Sequence, residues 1–458
     1  MTRTLDVDYL VVGAGAMGMA FTDALIDHSD ARVALVDRRD GVGGHWLDAY
    51  PFVRLHQASV FYGVASTVLG GSRVQEHGPE AGLQERATVS EICGYYGRVL
   101  AERMLVSGQV EWLPACDYRE DGSVVSRVSG TQFAVPERCR VVDATYLAPD
   151  IPAVTPPPFH VAEGARVVAV NDLVRVAEAP SKYVVVGSGK TATDSVVWLL
   201  ARGVDPGAIC WVRPRDPWMI NRAVVQPDPA VFLGMVAAVM ESASAAASLE
   251  DLFLRLEDAG VMLRVDRSVS PTMAKAPTLA TWELEQLRTI EDVVRLGHIK
   301  AVEPGRLTLE EGSVEVGRDA VVVHCAASGL KYPTPVPIWG APAITLQAIR
   351  AGAPCFAAAL AGYVEATRDD DAEKNRLCPP TPYGNSMAGW ARMNLLGARA
   401  AAAFGAEPDI KQWANEVALN PARVPPGHSS AELDEVLGRL QAHTPSGLAA
   451  LAELSGAP

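Results

Sequence analysis

Val7-Asp8-Tyr9-Leu10-Val11-Val12-Gly13-Ala14-Gly15-Ala16-Met17-Gly18 decides the fold. A β-branched, apolar run of strand length leads into G-x-G-x-x-G, and Met19 to Ile26 continues at helical spacing. A second strand, Arg32 to Val36, ends in Asp37. Strand, tight turn, helix, strand and acid together describe a dinucleotide-binding unit. Gly13 lets the chain turn sharply, Gly15 lets a pyrophosphate approach the backbone, and Gly18 lets the helix pack on the strand. The helix N-terminus offers free N–H groups to phosphate. Asp37, with Arg38 beside it, stands where a ribose hydroxyl is held.

The pattern repeats further on. Tyr183 to Val186 is a strand, and Gly187-Ser188-Gly189-Lys190-Thr191-Ala192 is G-x-G-x-x-A opening a helix that runs through Leu200. Gly187, Gly189, Lys190 and Thr191 are the expected cofactor contacts. The next strand, Ile209 to Val212, ends in Arg213-Pro214-Arg215 where the first unit has an acid. An acid there binds a free 2′-hydroxyl, whereas arginine accommodates a 2′-phosphate, so NADPH is favoured over NADH. The alternative for Arg213 and Arg215 is a pair of surface ion pairs. Gly189-Lys190-Thr191 also looks like the end of a triphosphate-binding loop. That motif needs a glycine five positions before its last one, and Val184 stands there.

Between the two units lies Gly41-Val42-Gly43-Gly44-His45-Trp46-Leu47-Asp48-Ala49-Tyr50-Pro51. Here the chain resembles the flavin-containing and Baeyer–Villiger monooxygenases, in which G-G-x-W follows the first acid and leads to Y-P. The resemblance implies FAD at the first turn, with Gly44, His45 and Trp46 lining it. It also implies that Arg54-Leu55-His56-Gln57 passes near the isoalloxazine. Arg54 and His56 are then the catalytic candidates and Gln57 a cofactor contact. The alternatives are a core aromatic for Trp46 and structural polar roles for Arg54 and His56. Val141-Val142-Asp143-Ala144-Thr145 is similar to the family's strand ending in A-T-G, with Tyr146 in place of glycine, and Asp319 to Gly329 resembles the second such strand.

The implied fold is α/β, with two Rossmann-like dinucleotide-binding domains, the second inserted within the first. Residues 1–150 and 325–458 would form the FAD domain with a helical C-terminal part, and residues 151–324 the NAD(P) domain. The proline-rich stretch Ala148 to Pro158 reads as the crossover. The implied chemistry is reduction of FAD by NADPH, capture of O2 as a C4a-(hydro)peroxyflavin, and oxygenation of an amine, a sulfide or a ketone. The family needs no protein nucleophile or metal for this. One signature departs: Pro158 to Val168 does not fit the family's F-x-G-x-x-x-H. A flavin oxidase, dehydrogenase or reductase on the same fold therefore remains an alternative, and a non-catalytic binding scaffold is a third.

Composition narrows the partners. The formal charge is -14, from 40 basic and 54 acidic residues, and no Lys/Arg run is present. Nucleic acid and anionic membranes are not expected partners. A small organic substrate and O2 are, and small anionic ligands stay compatible with a locally positive site. The sequence leaves the oligomeric state open. Seven scattered cysteines without C-x-x-C argue against a disulfide reductase and for reduced thiols in the cytoplasm. No signal segment precedes the first strand, and the longest apolar run, Ala230 to Met240, is too short to span a bilayer. Neither H-E-x-x-H nor a Cys/His cluster suggests a metal. Helices are expected over Ser248 to Leu256, Thr281 to Leu287, Ala358 to Ala366 and Trp390 to Phe404, and a hairpin from Arg306 to Val316. The charged stretch Asp369 to Pro380 reads as a solvated loop, with a loop over the active site as the alternative.

Overall fold

The computed structural model describes residues 2–327, 329 and 331–457. Met1 and Pro458, the outer limits of the expected first domain, lie outside the described residues. So does Ser328, within the segment likened to the second family strand.

The first unit is built on β1 (Tyr9–Val12), which pairs in parallel with β2 (Val33–Val36). Residues 110–113 extend the sheet beyond β2, and residues 140–143 and then 344–345 extend it on the other side, all in parallel. A parallel sheet needs cover on both faces, which is why these strands are continuous apolar runs. Helix α1 (Ala16–His28) leaves the glycine turn directly and covers one face. Gly18 is obligatory there, because a Cβ would lie 1.9 Å from the Gly13 carbonyl oxygen.

The second unit repeats the layout. β3 (Tyr183–Val186) pairs in parallel with β4 (Ile209–Val212), residues 293–294 lie beyond β4, and residues 321–324 followed by 166–169 lie on the other side. Helix α2 (Lys190–Ala201) starts at the second glycine turn. Val321 to His324, the strand that the resemblance makes the point of re-entry, sits inside this second sheet. It has a parallel neighbour on each edge, and all four of its residues are buried. The chain regains the first sheet only at Ile344–Thr345.

After β4 come a three-stranded sheet (217–221, 262–263 and 273–279), α3 (Pro229–Ala245) and α4 (Thr281–Leu287). Asp228 caps α3 by accepting from the N–H groups of Ala230 and Val231, with Pro229 at the first helical position. Helix α5 (Pro354–Thr367) then packs along α1. Later, α7 (Met387–Gly405) and α8 (Ala431–Ser455) bring Trp390 and Leu451 against Trp218, Val239 and Met240 of the inserted unit. The C-terminal helices thus touch both units.

The expected solvated loop over Asp369 to Pro380 is a helix in its centre, α6 (Asp371–Leu377), capped by the Asp370 side chain. Asp369, Asp370 and Arg376 are exposed, but one charge of the stretch is withdrawn from water. Lys374 is buried and donates to Glu365 on α5 at 2.6 Å. Glu365 also accepts from Tyr9 and Trp339 at 2.7 Å and from Arg140 at 3.1 Å. A run of charges reads as surface until its buried counter-charge is known, and that residue stands nine positions earlier on another helix. Lys374→Met should lower the unfolding free energy by about 3–5 kcal/mol, because it removes one partner of a buried pair. Denaturant melts would reveal it, and a loss below about 1 kcal/mol would contradict the burial of this pair.

Candidate functional site between the two glycine turns

At the first turn, Asp37 is buried and bound on both oxygens. Oδ2 accepts from the Ala14 N–H and Oδ1 from the Arg39 N–H, each at 2.8 Å. The acid thereby ties the glycine turn to the strand end, and each oxygen keeps a lone pair for a further donor. Arg38 is exposed, and Arg39, which the sequence did not single out, pairs with Asp48 at 2.7 Å. Gly44 packs against this turn, so closely that a Cβ on it would lie 2.8 Å from the Gly15 Cα. His45 and Trp46 follow in one tight turn, Gly44–Asp48, with ring centres 5.0 Å apart. Burial, and then the charge of Arg39, depress the His45 pKa to about 4, so its imidazole is neutral at pH 7.

At the second turn, a Cβ on Gly189 would meet nothing within 4 Å, so the backbone there is open to approach. Lys190 is already engaged: its ammonium pairs with Asp194 at 2.5 Å and with Glu283 at 3.2 Å. Thr191 adjoins the Tyr50 hydroxyl. The two arginines that end β4 diverge. Arg213 is buried, lies over the Trp211 ring at 4.6 Å and faces Asp216 at 3.3 Å, while its Nε and one terminal nitrogen have no partner. Arg215 is exposed.

Residues 44–57 run from one turn to the other. Asp48 accepts from Asn171 at 2.8 Å, Tyr50 donates to Asp194 on α2 at 2.7 Å, and Phe52 stacks on Trp198 of α2 with ring centres 4.9 Å apart. The His56 carbonyl accepts from Arg222 Nε at 2.9 Å and from the Thr278 hydroxyl. Arg222 is 1% exposed and also binds Glu80 of the first unit and, at 2.7 Å, Glu283 of the second. The result is a buried ladder of alternating charge: Arg86, Glu80, Arg222, Glu283, Lys190 and Asp194. Burial pushes Glu283 up, but Lys190, Arg222 and Arg86 outweigh it and hold its pKa at about 2.

The two catalytic candidates part company here. His56 is half-buried beside the ladder with its Nδ1 unpartnered, and burial followed by the charges of Lys190, Arg222 and Arg86 lowers its pKa to about 3. Arg54 is exposed, donates to the Arg86 carbonyl at 3.1 Å and opens into a surface cleft of about 1260 Å³ with Arg73 and Arg98. Gln57 faces a small apolar pocket of about 70 Å³ lined by Ile220, Phe232, Met235, Trp390 and Met393. Sequence reasoning missed Glu80, Asp194, Arg222 and Glu283. Glu80 and Arg222 stand 142 positions apart, so no local spacing could have paired them. Tyr50 was visible only as part of Tyr50-Pro51.

Against known proteins, a family model described as "NAD(P)-binding Rossmann-like domain" matches residues 11–69. The uncharacterized protein Rv2000 of Mycobacterium tuberculosis (strain ATCC 25618 / H37Rv) is 43% identical over 421 residues, covering 91% of this chain and 78% of that protein. Uncharacterized protein Mb2023 of Mycobacterium bovis matches equally. The chain belongs to the family of these mycobacterial proteins. Among solved structures, the family member at hand is similar to cyclohexanone monooxygenase from Rhodococcus sp. Phi1 bound to NADP+, at 14% identity and a TM-score of 0.47, covering 97% of this chain and 98% of that one. It is also similar to an oxidized steroid monooxygenase bound to NADP, at 15% identity and a TM-score of 0.44 over 72% of each chain. No helix among the described residues is long and apolar enough to cross a membrane.

Folding depresses the His56 pKa below its ordinary 6.5, so the unfolded chain takes the proton first. The stability this histidine contributes is full above pH 6.5 and is lost as pH falls towards 3. His56→Gln should remove about one proton from the slope of unfolding free energy against pH in that window. Urea melts at pH 7, 6 and 5 measure it, and a variant with the parent's slope would contradict the neutral imidazole.

Proposed function

We propose that the protein is an FAD- and NADPH-dependent monooxygenase of a small organic molecule, with FAD at the first glycine turn and NADPH at the second. The observation that carries this reading is the segment 44–57, which is packed against Gly15 at one end and bonded to α2 and Arg222 at the other. Two dinucleotide turns joined by one stretch of chain suit hydride transfer from one cofactor to the other.

The residues fit the two groups. At the first turn, close-packed glycines leave backbone for a pyrophosphate to lie against, and Asp37 keeps lone pairs for ribose hydroxyls. The family model's description names NAD(P) for this span. The assignment to FAD rests on Gly43-Gly44-His45-Trp46, which follows the acid. At the second turn, open backbone at Gly189, the exposed Arg215 and the unpartnered nitrogens of Arg213 suit a dinucleotide with a 2′-phosphate. When bound, flavin accepts the hydride and supplies the oxygen chemistry, while the protein supplies position and electrostatics.

His56 is neutral throughout the physiological range and carries a free Nδ1, so it offers one hydrogen bond without a charge. Gln57 lines the apolar pocket, which suits an uncharged substrate. Seven free cysteines, most of them buried, support a reducing, cytoplasmic setting. A reductase or oxidase without oxygen transfer is the second reading, because Pro158 to Val168 lacks the F-x-G-x-x-x-H of the monooxygenases it resembles. In this stretch Phe159 packs edge-on against His324 at 5.9 Å, beside the short edge strand His160–Val161.

Anaerobic mixing with NADPH should bleach the flavin absorbance, and admission of O2 should return it only after a lag. Immediate return with one H2O2 per NADPH favours the oxidase or reductase reading, and absence of bleaching rejects the second site. Arg215→Ala should raise KM for NADPH about tenfold and leave that for NADH unchanged, as expected for loss of one charge-assisted hydrogen bond. Equal effects on both coenzymes would contradict the 2′-phosphate assignment.

A further inference from the structure

We propose that Arg222 is a positioning residue: it holds the His56 segment of the first unit in register with the second glycine turn, so that donor and acceptor meet at a fixed distance. The inference rests on the two-site reading above and goes beyond it by naming the group that sets the geometry.

Arg222 lies on the short turn Arg222–Val224, with the Asn221 side chain capping that turn by accepting from the Ala223 N–H. Its guanidinium is used on every edge. Nε donates to the His56 carbonyl, one terminal nitrogen to Glu80, and the other to Glu283 and, at 3.4 Å, to the Thr278 carbonyl. His56 and Glu80 belong to the first unit, Thr278 and Glu283 to the second. Glu283 passes the contact on to Lys190, the first residue of α2 at the second turn. One planar fork therefore fixes two backbone and two carboxylate positions at once, which the single ammonium of a lysine cannot do.

Stability alone does not account for this arrangement. Buried ion pairs often do no better than apolar residues of the same volume, and their best-attested use is to specify one arrangement over others. The surroundings point to a need for registry. His56 is two residues from Arg54 and next to Gln57, at the end of the bridging segment, and its carbonyl is held by both Arg222 and Thr278. Displacement of a reacting group by about 1 Å costs up to about a hundredfold in rate. A residue that locks the bridging segment is thus placed to act on the rate of hydride transfer without touching the coenzyme.

The test uses the purified holoprotein. Arg222→Lys keeps the charge between Glu80 and Glu283 but loses the fork. Thr278→Val removes only the hydroxyl bond to the His56 carbonyl and leaves every charge in place. Each variant is reduced anaerobically across a range of NADPH concentrations, which separates the limiting rate of flavin bleaching from the apparent Kd for NADPH. Arg222→Lys should retain bound flavin and an apparent Kd within about threefold of the parent, with a limiting rate roughly tenfold or more lower. Thr278→Val should move the limiting rate the same way by a smaller factor. A merely structural role would change the folded fraction and leave the limiting rate of the folded protein as it was. Parental limiting rates in both variants would overturn the proposal, and Thr278→Val decides alone if Arg222→Lys does not fold. A parent protein that NADPH does not bleach rejects the two-site reading itself, which is a different result from unchanged variants.

Discussion

A guanidinium buried between two carboxylates, one from each unit, is the constraint around which the rest is arranged. Arg222 sits between Glu80 and Glu283, and the charges continue outward to Arg86 on one side and to Lys190 and Asp194 on the other. Three positive and three negative groups lie in one row, so no net charge is buried although each member is withdrawn from water. Such a row tolerates little displacement, because a charge that loses its neighbour faces the full cost of desolvation.

This row explains why the bridging segment follows the course it does. Residues 44–57 leave the first glycine turn through the Gly15–Gly44 contact, cross to α2 by Tyr50 and Phe52, and end with the His56 carbonyl on Arg222. Partial burial, and then the charges of Lys190, Arg222 and Arg86, keep the His56 imidazole neutral. Lys190 has a place in this row as well as at the second turn. Its ammonium is committed to Asp194 and Glu283, whereas a Cβ on Gly189 would meet nothing within 4 Å.

Local grammar was legible in the sequence and long-range pairing was not. The second-unit strands Tyr183–Val186 and Ile209–Val212 and the helix Thr281–Leu287 stand at the boundaries read from apolar runs and turn residues. Gly18 could be assigned because the close approach it permits, 1.9 Å between a hypothetical Cβ and the Gly13 carbonyl, follows from the motif itself. The charged stretch around Lys374 was misread because its counter-charge, Glu365, lies inside an apolar helix pattern. Arg213 and Arg215 looked alike as neighbours on a strand end, yet one turns onto Trp211 and the other faces solvent. Within the ladder only Lys190 and Asp194 stand at a local spacing, four apart on one helix, and its long-range steps join the segment 80–86 to Arg222, Arg222 to Glu283, and Glu283 to Lys190.

Native mass spectrometry of the purified chain, alone and with added NADPH, tests the central claim most directly. Two different dinucleotides at two structurally repeated turns predict a mass increment of one FAD in the protein as isolated and one further NADPH on titration. A chain that carries no flavin, or that takes up two molecules of NADPH, would contradict the account.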